Sequence, residues 1–314
     1  MDINFVVNLG RLQLKNPVLV ASGTFGYIRE MSSFVRINRL GGVIPKTITA
    51  RPRAGNPTPR TVETASGMLN AIGLDNDGLD HFLEHHLPYL RTINTSLIVN
   101  VAGETEGQFV ELAARVGSEP GVAAVELNLS CPNVSHGLDL GIEPAIVERV
   151  VRRAREACPL PVIAKLTPNV TDVVAIAHAA AAGGADAVSL INTIKGMAID
   201  WRRQRPILAN DLGGLSGPAI KPIALRMVWE VARGVPGLPI IGIGGIQCAE
   251  DALEFLVAGA SAVQVGTATF YDPTVSDRIL DEMTARLQAR GIHDINEIIG
   301  ALCSNRVDQA LPTP

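Results

Sequence analysis

Aromatic residues make up only 4% of this 314-residue chain, too few to build stacking platforms for unpaired bases. No excess of basic charge compensates: the formal net charge is −4, which leaves no cationic footprint for nucleic acid. No apolar run reaches the ~18 residues that a membrane span needs. The opening residues, Met1 to Phe5, lack the charged and apolar regions of a secretory signal. Cysteine is sparse as well. Cys131, Cys158, Cys248 and Cys303 lie far apart and form no CxxC pair. That argues against a disulfide framework or a self-contained zinc or iron–sulfur site, and for a reducing, cytoplasmic setting. Neither a nucleic acid nor a membrane is expected as a partner.

What the chain does have is hydrophobic residue in quantity, 47%, against 18% charged. The apolar residues fall into eight short runs: 17–21, 42–46, 96–101, 123–129, 161–166, 187–191, 239–243 and 262–265. Helix-compatible stretches separate most of them. Ala145–Ala157 has an amphipathic spacing, with Pro144 in its first turn and Pro159 at its end. Thr171 or Asp172 can cap 173–182, and 249–258 stops at Gly259. Alternating strand and helix predicts a parallel sheet, and eight strands close a barrel. The expected architecture is α/β, a single (β/α)8 TIM barrel over 1–314. An N-terminal β-hairpin (3–9 and 12–14, turning at Gly10-Arg11) precedes it. Two connections, 47–76 and 193–218, are too long for simple turns and are read as active-site loops at the C-terminal rim.

Strands buried on both faces should be apolar to the end. Here they run out in Ser22-Gly23, Lys46-Thr47, Asn100, Asn128, Lys165, Asn192-Thr193, Gly244-Gly245 and Gly266-Thr267. Eight polar endings in register predict one polar-lined site at the rim where barrel enzymes place their chemistry. The chain has five lysines against twenty-two arginines, and two of the five are Lys46 and Lys165. A lysine there can neutralise an anion or a developing negative charge. Lys15 and Lys221 read as solvated surface lysines. The glycines after the seventh and eighth strands suit a phosphate group.

Asn128-Leu129-Ser130-Cys131-Pro132-Asn133 leaves the fourth strand, and Pro132 keeps Cys131 out of a helical conformation. A thiol in that position can accept a proton where its surroundings favour the thiolate. Cys158, Cys248 and Cys303 read as ordinary small side chains. Asn70, Asn128, Asn133 and Asn192 offer uncharged donors and acceptors that complement a cyclic imide or ureide. His81, His85 and His86 have a spacing that could hold a metal on a helix, but with no acid or cysteine motif beside them they read as a solvated face, and no metal is expected.

Taken together, 55–60 (GNPTPR), 67–73 (GMLNAIG), 128–133 (NLSCPN), 165–171 (KLTPNVT), 191–193 (INT), 213–218 (GGLSGP) and 241–246 (IGIGGI) resemble the dihydroorotate dehydrogenase family. The resemblance covers essentially the whole chain and is nearest to the soluble, NAD-linked type 1B catalytic subunit. The membrane-bound type would carry an N-terminal helical extension. Cys248 departs from the family pattern at a position with no catalytic role.

The resemblance implies one FMN per chain. Backbone around Gly217, Gly244, Gly245, Gly266 and Thr267 would hold its phosphate. Ser22, Thr47, Asn100, Asn128 and Ile191 would contact its ring and ribityl chain, and Lys165 its pyrimidine end. Lys46 would bridge flavin and (S)-dihydroorotate. Asn70, Ala71, Ile72, Gly73, Leu74, Asn128, Asn133, Asn192 and Thr193 would bind that substrate. Cys131 would be the catalytic base, on a loop (131–141) that closes over it. A partner subunit carrying FAD and a [2Fe–2S] cluster would pass electrons to NAD+, and a homodimer of this chain would sit within a heterotetramer. Three alternatives stay open: a fumarate-linked type 1A enzyme, a non-redox barrel lyase or isomerase, and an inactive scaffold subunit.

Overall fold

The computed structural model describes residues 3–130 and 140–305. Eight parallel strands close into a barrel: β1 (Val18–Val20), β2 (Gly42–Val43), β3 (Ser96–Val101), β4 (Ala124–Asn128), β5 (Val162–Lys165), β6 (Ala187–Leu190), β7 (Ile240–Ile243) and β8 (Ala262–Val265). Closure is made by β8 against β1, with Val263 opposite Val18. All eight expected runs are strands, each trimmed by up to three residues. The largest trim is at β2, which stops at Val43. Lys46 lies beyond it, its backbone N–H donating to the Gly26 carbonyl.

Six helices of ten or more residues lie outside the barrel: Glu106–Gly117, Pro144–Ala157, Val173–Ala182, Lys221–Gly234, Ala249–Ala258 and Val275–Ala289. Pro144–Ala157 shows why the periodicity was informative. Val147, Val150, Val151 and Ala154 recur at helical spacing and are all buried, while the arginines between them face outward. The Asp172 carboxylate accepts from the backbone N–H groups of Val174 and Ala175 (2.9 and 3.0 Å) and so starts Val173–Ala182.

Two expectations are corrected. In the hairpin only Val7–Leu9 pairs with Leu12–Leu14; residues 3–6 form no strand, and Asn4 makes a single bridge to Asp294. The two long connections are not plain loops. Thr61–Thr64 and Gly67–Asn70 from the first, with Ile194–Met197 and Leu212–Ser216 from the second, pair into one four-stranded antiparallel sheet. Each loop alone has only a two-stranded ribbon's worth of pairing, which is marginal in water. Joined across Gly214 and Asn70 they become a sheet with its own small core of Leu69, Ala71 and Leu208.

The hairpin closes the N-terminal end of the barrel. Arg11 there bonds Asp186 through Nε and a terminal nitrogen (2.7 and 3.0 Å) and the carbonyls of Pro159 and Leu160 (2.9 and 2.8 Å). Those residues precede β5 and β6. Among the described residues no helix is long and apolar enough to cross a membrane.

Candidate active site

The C-terminal ends of the strands and the four-stranded sheet above them enclose a cavity of about 440 Å³, within the size range of small-molecule sites. Its floor carries Ser22, Lys46, Thr47, Asn128, Lys165 and Ile191 from the barrel strands and the residues just after them. Its roof is the loop-derived sheet with Asn70, and Ala71, Ile72, Gly73 and Leu74 follow along one wall. Asn192 and Thr193 line it beside Asn128, while Gly217, Gly244, Gly245, Gly266 and Thr267 line the opposite end. Every expected site residue that the structure describes lines this cavity except Asn100. Cys131 and Asn133 lie outside the described residues.

Asn100 is completely buried one layer below the floor. Its Nδ2 donates to Glu126 Oε1 (2.6 Å), and Glu126 Oε2 accepts from Ser189 Oγ (2.8 Å) and Gln264 Nε2 (2.7 Å). Glu126, Ser189 and Gln264 come from β4, β6 and β8, the alternate strands that supply one interior layer of such a barrel. This polar layer replaces the usual branched aliphatics. It supports Lys165, itself buried, whose ammonium is 3.9 Å from Glu126 Oε1. Sequence reading missed Glu126, although a charged residue in the middle of an otherwise apolar strand was a visible signal.

Lys46 and Lys165, two of the three lysines that line the cavity, differ. Lys165 has Glu126 as a counter-charge. The Lys46 ammonium makes no hydrogen bond or ion pair with any described residue. Burial holds its ammonium below the ordinary lysine range; Asp75 pulls the other way, and Arg60 adds to the lowering. A half-buried cation on the floor with no partner among the described residues is prepared for an anion from outside the chain. Lys221 corrects the surface reading, since its ammonium pairs with Asp251 and Glu254. Of the remaining cysteines, Cys158 is buried, Cys248 contacts Asp251 at the start of a helix, and Cys303 is exposed.

The amide groups are arranged by one another. Asn192 Nδ2 donates to Asn128 Oδ1 (3.1 Å), and its own Oδ1 accepts from the Thr193 N–H (2.8 Å). Asn70 Nδ2 donates to the Gly214 carbonyl (3.3 Å). Asn169, unassigned from sequence, holds the Thr193 loop: Nδ2 donates to the Thr193 carbonyl (3.1 Å) and Oδ1 accepts from the Lys195 N–H (2.9 Å). Its place in the stretch that follows Lys165 was the available clue.

At the other end, Gly217 has φ +94°, and a Cβ there would lie 2.7 Å from Gly67 Cα. Gly245 has φ +71°, and a Cβ would sit 2.9 Å from the Gly217 carbonyl oxygen. Larger residues would therefore block this corner, where backbone from three segments converges with the Thr267 and Ser216 hydroxyls (2.8 Å apart). Glycine-walled backbone after β7 and β8, a cationic floor and a row of amides fit a phosphorylated, ring-bearing cofactor lying beside a small polar ring.

A (β/α)8 barrel with such a mouth belongs to the class of cofactor-dependent barrel enzymes. Comparison with known proteins gives the family. The family model described as dihydroorotate dehydrogenase matches residues 5–287. The chain is similar to proteins named dihydroorotate dehydrogenase B (NAD(+)), catalytic subunit. It is 56% identical to that of Geobacter metallireducens and 57% to that of Geobacter sulfurreducens, each over 94% of this chain and 97% of the relative. It is 50% identical to that of Desulforamulus reducens over 96% of this chain and 99% of the relative. The chain belongs to the dihydroorotate dehydrogenase family.

Proposed function

We propose that the chain is the catalytic subunit of an NAD-linked dihydroorotate dehydrogenase, oxidising (S)-dihydroorotate to orotate in cytoplasmic pyrimidine biosynthesis. The observation that carries this reading is the joining, in one cavity, of an unpaired Lys46, a Glu126-backed Lys165, interlocked asparagines and a glycine-walled corner. The names of the relatives supply the substrate and the acceptor.

FMN, when bound, supplies a hydride acceptor for substrate C6. Gly217, Gly244, Gly245, Gly266 and Thr267 would hold its phosphate. Ser22, Thr47, Asn128 and Ile191 would bear on the ring and ribityl chain, and Asn100, one layer below, would support them through Glu126. Lys165, buried and held by Glu126, puts positive charge where negative charge develops on reduction. Lys46 neutralises the substrate carboxylate. The amides of Asn70, Asn128, Asn133 and Asn192, with Thr193, match the N–H and C=O edge of the ring, and 71–74 close one wall. Cys131 removes the C5 proton as the C6 hydride leaves, and the C5=C6 double bond forms. A positioned base of this kind contributes typically 10²–10⁴-fold.

Electrons would leave through a partner subunit bearing FAD and a [2Fe–2S] cluster, with two copies of this chain in a heterotetramer. The word "subunit" in the relatives' names supports a partner. The test is anaerobic titration of the purified chain with dihydroorotate. Wild type should arrive yellow and bleach rapidly. Cys131→Ala should keep its flavin and bleach roughly 10²–10⁴-fold more slowly. A near-wild-type rate in that variant overturns the base, a colourless protein overturns the flavin, and fumarate reduction without a partner overturns the NAD link.

A further inference from the structure

Away from the cavity, on the outer wall after β2, the helical segment Leu79–His81, Phe82–His86, Leu87–Leu90 contains a π turn at Phe82–His86. On a regular α-helix, residues five apart point roughly 140° away from each other. A π turn adds one residue to the turn and brings i and i+5 onto one face. Here it brings His86 onto the face of His81, and both turn toward Asp77, the residue before the segment's entry at Gly78. His85, which the spacing alone grouped with them, is left aside: its Nε2 lies 3.7 Å from Glu84.

We propose that Asp77, His81 and His86 bind a divalent transition-metal ion of the Zn²⁺, Co²⁺ or Ni²⁺ type. Asp77 Oδ2 is 3.8 Å from His81 Nδ1 and 3.7 Å from His86 Nε2, and the three ligand atoms lie within 4.8 Å of one another. These separations are too long for hydrogen bonds. The two carboxylate–imidazole separations are somewhat longer than the ~3.3 Å edge of a tetrahedron with metal–ligand distances near 2.0–2.1 Å, so the ligands would draw in slightly around an ion. His86 Nε2 is buried and has no hydrogen-bond partner among the described residues. A buried polar atom in that condition calls for an explanation, and an ion is one. The ring is also held in place before any ion arrives, stacked on Tyr27 at 3.6 Å with the planes 12° apart. Two imidazoles and one carboxylate suit a borderline metal with open positions for water. Calcium and magnesium prefer all-oxygen sets.

Such an ion would brace the mouth from outside. Asp77 follows Asn76, which is buried. Asn76 Oδ1 accepts from the N–H groups of Thr49 (3.2 Å) and Gly78 (2.9 Å), and its Nδ2 donates to the Leu74 carbonyl (2.6 Å). Leu74 lines the cavity. Tyr27, under the His86 ring, follows Gly26, whose carbonyl holds the Lys46 N–H. The ion therefore ties together the segments that carry two parts of the rim, while touching neither.

The experiment is equilibrium dialysis of untagged, chelator-treated protein against Zn²⁺, repeated with Co²⁺ so that its visible spectrum reports the ligands. Wild type should bind one ion per chain at micromolar concentration, with nitrogen-type cobalt bands and a melting temperature raised by a few degrees. His81→Ala and Asp77→Asn alter exposed side chains outside the cavity, so their turnover without metal should match wild type. Each should bind more than 10-fold more weakly and lose the thermal shift. Absence of stoichiometric binding in wild type, or equal binding in both variants, overturns the site.

Discussion

The two ends of the barrel are built on opposite principles. At the N-terminal end, each polar group named at the seal has a partner. The Arg11 guanidinium is shared among Asp186, Pro159 and Leu160, and Asp186 also accepts from the Val162 N–H (2.8 Å). At the C-terminal end, the Lys46 ammonium has no partner among the described residues, Lys165 has one distant counter-charge, and glycines stand where a Cβ would fill the space. A mouth with unsatisfied charge costs stability, and a sealed base offsets some of that cost. The polar layer of Asn100, Glu126, Ser189 and Gln264 lies between them. Its members are fully buried, unlike the exposed Arg11 of the seal, and it holds Glu126 near the Lys165 ammonium.

The sharpest way to break this comparison is at the layer itself. Lys165→Ala should lower dihydroorotate turnover by at least ~10²-fold and also destabilise the fold by roughly 3 kcal/mol, because Glu126 is left buried without its cation. Adding Glu126→Gln should restore most of the stability and none of the turnover. Recovery of both, measured by denaturant unfolding and steady-state rates, would show that Lys165 serves the core and not the mouth.

A smaller effect is expected at the seal. Arg11→Ala should cost roughly 1 kcal/mol at neutral pH, because the exposed guanidinium is screened by water, with unchanged turnover per folded molecule. Burial alone would raise the Asp186 carboxyl. The Arg11 hydrogen bond, with help from the Val162 N–H, outweighs it and holds the carboxyl below its ordinary 3.8. A depressed carboxyl contributes stability above its unfolded value and loses it as pH falls through the folded one. The gap between wild type and Arg11→Ala should therefore close below about pH 3.8 and stay constant above it. A gap that persists in acid would mean that Arg11 acts through packing or its carbonyl bonds.

The smallest effect concerns Lys46. Burial lowers its pKa in the free protein, and an anion beside it restores it. Orotate binding should therefore take up a proton between that lowered value and the ordinary 10.5, with affinity falling by at most about tenfold per pH unit across the window. Calorimetry in buffers of different ionisation enthalpy measures the uptake. No uptake anywhere on the alkaline side would remove Lys46 from the anion site.

Much of the mouth was legible because strand ends are read by contrast: a lysine or asparagine closing an apolar run stands out. Asn192 was legible as a strand ending, whereas Asn70 sits in a long connection with no period to anchor it and stood out only as one of a set of asparagines. Glu126 was passed over because a mid-strand acid has no meaning until three other strands show what it binds. Asp77 was passed over for a similar reason. It precedes the helix, and an α-helical reading turns His81 and His86 away from each other.

By itself, the sequence determined the eight strands, three of the long outer helices, the rim on which the site sits and the family. The strands, helices and rim follow from local periodicity and from residue types at strand ends, and the family from the resemblance of its motifs. The tertiary structure decided the rest: that two long connections fold into one sheet roofing the cavity, that Asn100 lies below the floor, and that Lys46 is left unpaired while Lys165 and Lys221 are not. Those outcomes depend on pairing between residues up to 148 positions apart, as with Met68 and Ser216. No local pattern encodes which distant partner a backbone edge or a buried charge will meet.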